Sequence, residues 1–199
     1  VQRESYERAI GSLRGVPFGD GVERGPVRFT FRRARHLLGA AFVEIDIETP
    51  AGDMRVVFSG DLGSGGSLLL PPLEPCARAD YLVLESTYGA LRRGAGETSD
   101  RFEPFAAAVA AALRRGGHVL IPAFTLGRTQ EVLAALDLYT DRGLIPSGTL
   151  IYSDSPTANR IARVYREHAG ELSDLARALY AGEVLSRANH RPVRSATSV

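Results

Sequence analysis

Apolar and polar positions along the chain keep two different periods in its two halves. Tyr6, Ile10 and Leu13 fall at helical spacing, so residues 3–14 predict a short helix. Residues 15–26 are rich in Gly, Pro and charge and predict a loop. From there the period is two: 26–31 predict a strand, and 41–49 a second. In that second strand Ala41, Val43, Ile45 and Ile47 line one face, and Glu44, Asp46 and Glu48 the other. A turn over 49–53 leads into a strand over 54–61, so 41–61 predict an antiparallel hairpin. The run 80–85 is apolar enough to predict a strand buried on both faces.

Beyond residue 97 helices and strands alternate. Asp100 and Glu103 form a capping signal, and Phe102, Phe105, Ala106, Val109 and Leu113 then repeat at helical spacing up to Gly116. A strand is predicted over 118–124 and a helix over 127–139, with Leu133, Leu136 and Tyr139 on one side. Another strand covers 149–154. Ser155 followed by Pro156 reads as a helix N-cap with proline at the first helical position. Ala158, Ile161, Ala162 and Tyr165 continue that helix, and Leu172, Leu175, Ala176 and Leu179 mark one more. The first half therefore reads as hairpin-rich β and the second as α/β with a parallel sheet, the boundary near residue 97.

Composition narrows the class. With 24 Lys plus Arg against 23 Asp plus Glu the formal net charge is +1, so this is no strongly basic nucleic-acid module, although a local basic groove is allowed. The single cysteine, Cys76, permits no intrachain disulfide and fits a reducing cytoplasm; it reads as a small buried apolar group. No apolar run reaches the ~18 residues of a membrane span, and the first residues have no secretory character. The chain begins without Met and closes on a polar stretch, which suggests a piece of a longer protein.

Four places join reactive side chains to special backbone, each at an end of a predicted strand, where functional groups of layered sheets collect. His36, in Arg35-His36-Leu37-Leu38-Gly39, could bind a metal through a neutral ring nitrogen. Taken alone it fits a turn histidine hydrogen-bonded to the backbone better. Asp61, in Ser59-Gly60-Asp61-Leu62-Gly63, sits on a tight turn; a carboxylate can bridge two metal ions, and a turn-forming aspartate is the plainer alternative. Glu85 ends the apolar strand and needs a partner if buried, a salt bridge being the plain choice. Ser86, Thr87 and the following amides could hold a phosphate oxygen. Gly127-Arg128 opens a helix after a strand, an arrangement suited to an anion; an ordinary helix start would instead put Gln130 and Glu131 on the solvent face. His118 and His190 read as surface and loop residues, and His168 closes a helix, where its charged form suits the dipole.

The order of these segments carries more than any one of them. ARHLLGAAFVEI, FSGDLG, ADYLVLESTYG, GGHVLIPAFTLGRTQEVL and IYSDSPTANRIARVYREH together resemble the β-CASP branch of the metallo-β-lactamase superfamily, from about residue 26 onward. The similarity is greatest to the group of the messenger-RNA cleavage and polyadenylation endonuclease. The resemblance implies an α/β fold: residues 1–97 as part of a metallo-β-lactamase αββα sandwich, and 98–199 as part of a β-CASP α/β domain with a mainly parallel sheet. It implies His36 and Asp61 as ligands of two Zn2+ in the full-length protein, Asp61 bridging both. It implies Asp61 and Glu85 as catalytic residues; Ser86, Thr87, Tyr88 and Arg128 are the expected substrate-binding residues. In that chemistry zinc lowers the pKa of bound water to about 7, and two metals roughly 4 Å apart balance charge on the attacking and leaving oxygens of a phosphodiester.

Two departures qualify the resemblance. The family's His-x-His-x-Asp-His signature is absent, as are the later β-CASP motifs, so the chain reads as an interior part that is inactive by itself. Arg35 stands where the family has glycine before the ligand histidine, which bears on the turn that carries His36. The implied partner is single-stranded RNA, with no membrane and with a homodimer compatible. The implied activity is RNA processing or decay in the cytoplasm. Glu at position 85, in its Glu-Ser-Thr-Tyr-Gly context, favours RNA over the alternative of a DNA-directed member. A non-catalytic paralogue that binds RNA or a nuclease partner is the other alternative.

Overall fold

The computed structural model describes residues 3–63, 65–91, 101–181 and 190–192. The chain divides into two units, taken separately below: Val1–Ala34 with Ala41–Leu62 and Glu74–Glu85, and Arg35–Ala40 with Gly63–Leu73 and Ser86–Val199. The expected boundary near residue 97, and Asp100 of the capping signal, lie outside the described residues.

The first unit holds helix α1 (Arg3–Gly11) and a mixed sheet of β1 (Gly21–Arg24), β2 (Val27–Arg33), β3 (Ala41–Ile47), β4 (Met54–Phe58) and β5 (Tyr81–Val83), hydrogen-bonded in that order. Strands β1 to β4 run antiparallel, and β5 joins β4 in parallel. The expected 41–61 hairpin is present, its turn closed by Gly52 N–H donating to the Thr49 carbonyl at 3.0 Å. Strand β1 falls in the stretch expected to be loop: its Gly-Val-Glu-Arg carries no apolar alternation, and pairing with β2 is what makes it a strand. Helix α1 ends at Gly11, short of the expected residue 14; its apolar positions Tyr6 and Ile10 stay exposed, as does Leu13 beyond its end.

The sheet buries the face opposite to the one its apolar pattern suggests. Phe42, Glu44, Thr30 and Val57 are buried, whereas Val43 and Ile45 are only half-buried. Register explains how charge is tolerated there. Glu44 lies opposite Thr30 and Val57, and Asp46 opposite Arg28 and Arg55, so acid and base meet across strands. Glu44 accepts from Arg32 Nε at 3.1 Å and pairs with Arg55 Nη1 at 3.8 Å, while Arg55 clamps Asp46 through bonds of 2.6 and 2.8 Å. A buried carboxylate with partners is tolerated where an unpaired one would be expelled or neutralised. Strand β5 is exposed at all three residues, not buried on both faces. Among the described residues it is the terminal strand and has one neighbour; an apolar run records a tendency to be covered, not which element covers it.

The second unit is built on helices α2 (Phe102–Arg114), α3 (Arg128–Asp141), α4 (Pro156–Glu167) and α5 (Asp174–Ala181), with β6 (Ile151–Ser153) paired in parallel to β7 (His190–Pro192). Helix α3 is its centre, buried from Gln130 and Glu131 through Tyr139 on nearly every side. Phe102, Ala106, Val109 and Ala110 of α2 pack with Ala135, Leu136, Leu138, Tyr139 and Ile145 in one cluster. Leu69, Leu70, Ala134, Tyr165, Leu172, Ala176 and Leu179 form a second. Each large aliphatic or aromatic side chain buried this way contributes roughly 1.5–3 kcal/mol. Ser155 caps α4 as expected, accepting from Ala158 N–H at 3.2 Å with Pro156 behind it.

Three expectations are corrected here. Residues 118–124 form no strand; Leu120 and Phe124 are largely exposed, and the segment has no ladder partner among the described residues. Apolar character alone does not make a strand, since the ladder needs a neighbour. His190 is in β7 and not in a loop, because it pairs with Ile151 far away in sequence. Cys76 is exposed, its thiol donating to the Arg78 carbonyl at 3.4 Å. Among the described residues no helix is long and apolar enough to cross a membrane.

Candidate active site

In the first unit, the parallel pairing of β4 with β5 sets the geometry. Two parallel neighbours end on the same edge of a sheet, so the turns after Phe58 and after Val83 emerge side by side. These turns carry Asp61 and Glu85. Ser59, which is buried, joins them. Its N–H donates to the Val83 carbonyl at 2.9 Å, and its hydroxyl accepts from Glu85 N–H at 2.9 Å while donating to the Gly60 carbonyl at 2.7 Å. Leu62 N–H donates to Glu85 Oε1 at 3.3 Å, which fixes the half-buried Glu85 carboxylate against the Asp61 turn. Gly60 has φ +52, a conformation costly for residues with a side chain. It turns the chain so that Asp61 stays exposed at the strand end.

In the second unit, His36 is exposed in the turn 35–39, which Ala40 N–H closes by donating to the Leu37 carbonyl at 3.0 Å. Gly63 fits flush against the Arg35–His36 peptide: a Cβ on it would overlap the Arg35 carbonyl oxygen and lie 2.9 Å from His36 N. Arg35 itself has φ +59, alone among the described residues other than glycine. The left-handed region costs an L-residue about 1–2 kcal/mol. Leu38 N–H donates to the buried Tyr165 hydroxyl at 3.4 Å, and burial pushes that phenol up from its ordinary value.

The same turn adjoins the start of α3. A Cβ on Gly127 would come within 2.5 Å of Leu37 Cδ2, the end of a side chain that can turn aside, and its φ of +80 is the backbone reason for glycine here. Gln130 holds the start of the helix: its Oε1 accepts from Gly127 N–H at 2.7 Å, and its Nε2 donates to the Thr125 and Ala158 carbonyls at 3.2 Å each. Gly127 has no side chain to return the bond, so the cap is one-sided. Glu131 accepts from the Ser67 hydroxyl and from Leu68 N–H at 3.1 Å, and Ser67 Oγ in turn accepts from Leu69 and Leu70 N–H at 3.2 and 2.9 Å. Gln130 and Glu131 are thus buried anchors and not the solvent face of an ordinary helix start. Arg128 projects from the first residue of α3 and is exposed. Ser86, Thr87 and Tyr88 form an exposed turn, closed by Gly89 N–H to the Ser86 carbonyl at 3.0 Å.

Asp61 and Glu85 are therefore brought together in one unit, while His36, Ser86, Thr87, Tyr88 and Arg128 belong to the other. Imidazole and carboxylate are donors that zinc accepts, but a protein zinc site takes three or four. Among the described residues no group of three or more His, Cys, Asp or Glu side chains is placed to hold a metal ion, so these residues do not make up such a site. The sequence pattern assigns no role to Ser59 or Gly63, and it places Gln130 and Glu131 on the solvent face of an ordinary helix start. The signals were local in two cases: the serine of Ser-Gly-Asp, and a glutamine three residues after the glycine that opens a helix.

No family model matches the chain. A ribonuclease of Thermus thermophilus is 36% identical over 163 residues, 81% of this chain and 36% of the relative. Subunit 3 of the cleavage and polyadenylation specificity factor of Dictyostelium discoideum is 31% identical over 179 residues, 89% of this chain and 22% of the relative. An endoribonuclease of Mycosarcoma maydis is 33% identical over 164 residues, 81% and 18% respectively. The chain thus spans only 18% to 36% of the length of these relatives. With this similarity over four-fifths or more of its length, the chain is a homologue of these ribonucleases, and its five motif segments stand in the order of the β-CASP branch of the metallo-β-lactamase superfamily.

Proposed function

We propose that the protein carrying this chain is a hydrolase that cleaves phosphodiester bonds of single-stranded RNA, in RNA processing or decay in the cytoplasm. The observation that supports it most is similarity over 81% of the chain to a protein named as a ribonuclease. The five-stranded sheet would then be part of an αββα sandwich, and the helical unit part of a β-CASP domain. Asp61 and Glu85 act as the carboxylate pair: Asp61 is exposed, and Glu85 is oriented by Leu62 N–H. The exposed Ser86–Tyr88 turn and Arg128 supply hydroxyls and charge for the phosphate backbone. Two zinc ions are part of the proposal, with His36 and Asp61 as two donors of sets that further donors complete. Such ions supply hydroxide at neutral pH and charge neutralisation when bound.

The test is to incubate the full-length protein with an end-labelled single-stranded RNA 20-mer and with DNA of the same sequence. RNA is expected to be cut, with the rate lowered by about 100-fold or more in Asp61→Asn, since the interaction lost acts at the reacting centre. Cleavage of DNA alone would make the protein a DNA-directed member. Binding of RNA without cleavage would make it a non-catalytic paralogue, and either result would refute the proposal.

A further inference from the structure

We propose that Arg35 is a substrate-binding residue whose guanidinium takes a phosphodiester oxygen of the nucleic-acid chain beside His36. This rests on the ribonuclease reading. Three observations carry it. Arg35 occupies the left-handed region at φ +59, where glycine would fit without cost, so its backbone works against the presence of a side chain. Its Nε is buried without a hydrogen-bond partner among the described residues, a charged donor left wanting an acceptor. Its peptide is clamped against Gly63, where even a methyl group would overlap the Arg35 carbonyl, so the side chain is anchored on fixed backbone next to the His36 turn.

A strained, half-buried arginine with an unsatisfied donor is explained if the missing acceptor arrives with the ligand. The setting suits an anion. Leu37 of the same turn packs on Gly127, so Arg128, the first residue of the 14-residue helix α3, belongs to the same neighbourhood. Arg128 is exposed, and neither arginine has a carboxylate partner among the described residues. The guanidinium fork matches two oxygens of one phosphate, as an ammonium does not. Engaging that phosphate would draw the side chain out of its present position and give Nε its acceptor.

The experiment measures binding of the full-length protein to a fluorescent single-stranded RNA 20-mer as a function of salt, with inorganic phosphate and a DNA 20-mer as competitors. Arg35→Gly removes both the charge and the backbone strain. It is expected to raise the midpoint of thermal unfolding yet weaken RNA binding about tenfold. The slope of log affinity against log salt is expected to fall by about 0.7, one phosphate contact on a single strand. A merely structural arginine would not move that slope. Arg35→Gln keeps the backbone strain and removes the charge, so it gives the same loss of slope even if Arg35→Gly fails to fold. Arg35→Lys should restore most of the slope but not all of the affinity. Unchanged affinity and slope in Arg35→Gly or Arg35→Gln overturns the inference and leaves the ribonuclease reading standing. Failure of the unsubstituted protein to bind RNA overturns both. Equal competition by DNA keeps the phosphate contact and removes any preference for ribose at this position.

Discussion

Glu44 offers the sharpest test of how the first unit tolerates charge inside its sheet. Its side chain is only 3% exposed, and it is held by Arg32 Nε at 3.1 Å and Arg55 Nη1 at 3.8 Å. Truncation by Glu44→Ala removes the carboxylate and leaves two arginines. For a fully buried pair the loss of one partner costs about 3–5 kcal/mol, because the surviving charge is stranded. For a surface pair it is about 0–1 kcal/mol. The environment decides between the two. Arg32 is 36% exposed and can turn to water, and Arg55 keeps its two bonds to Asp46 at 2.6 and 2.8 Å. Neither arginine is stranded, so the expected loss is about 2 kcal/mol, most of it the loss of the hydrogen bond and of packing around the carboxylate. Urea unfolding of the purified protein measures it. With a slope of about 2 kcal/mol/M the midpoint should drop by about 1 M at unchanged slope. Glu44→Gln, which keeps the shape, should lose about half as much. A loss under about 0.5 kcal/mol for Glu44→Ala would mean that water reaches the carboxylate and that the buried charged face is wrong. A loss above about 4 kcal/mol would mean that Arg32 does not escape to solvent.

Two further outcomes follow from the same structure. Gly63→Ala should cost more than about 2 kcal/mol, because the added methyl meets backbone of Arg35 and His36 that cannot swing aside. Gly143→Ala, at φ +75 with open space around it, should cost about 1 kcal/mol from conformation alone; a thermal-unfolding comparison in which the two cost the same would refute the close approach. Hydrogen bonding to Arg55, then the charges of Arg55, Arg28 and Arg78, hold the Asp46 carboxyl below its ordinary value of 3.8 against the opposing effect of burial. A carboxyl depressed in the folded state contributes stability above its unfolded value and loses it as pH falls through the folded one. Urea midpoints measured from about pH 5 down to about pH 2 should therefore fall more steeply for the unsubstituted protein than for Asp46→Asn, and parallel curves would refute the assignment.

Sequence by itself determined what depends on near neighbours. The 41–61 hairpin, the stripe of α2, the Ser155-Pro156 cap and the glycine of the Ser59-Gly60-Asp61 turn follow from periods and turn chemistry within a few residues. The order of the motif segments was enough to identify the family, because each records a local demand of the same fold. Tertiary structure decided what depends on distant partners. Pairing with β2 made Gly21–Arg24 a strand, and pairing with Ile151 did the same for His190. The arginines opposite β3 buried its acidic side, since alternation gives two faces but not which one is covered. The parallel union of β4 with β5 placed Asp61 and Glu85 together across 24 positions of sequence, with Ser59 as the link. The left-handed turn at Arg35 was decided by the fit of Gly63 against its peptide, a contact between residues that no local pattern connects.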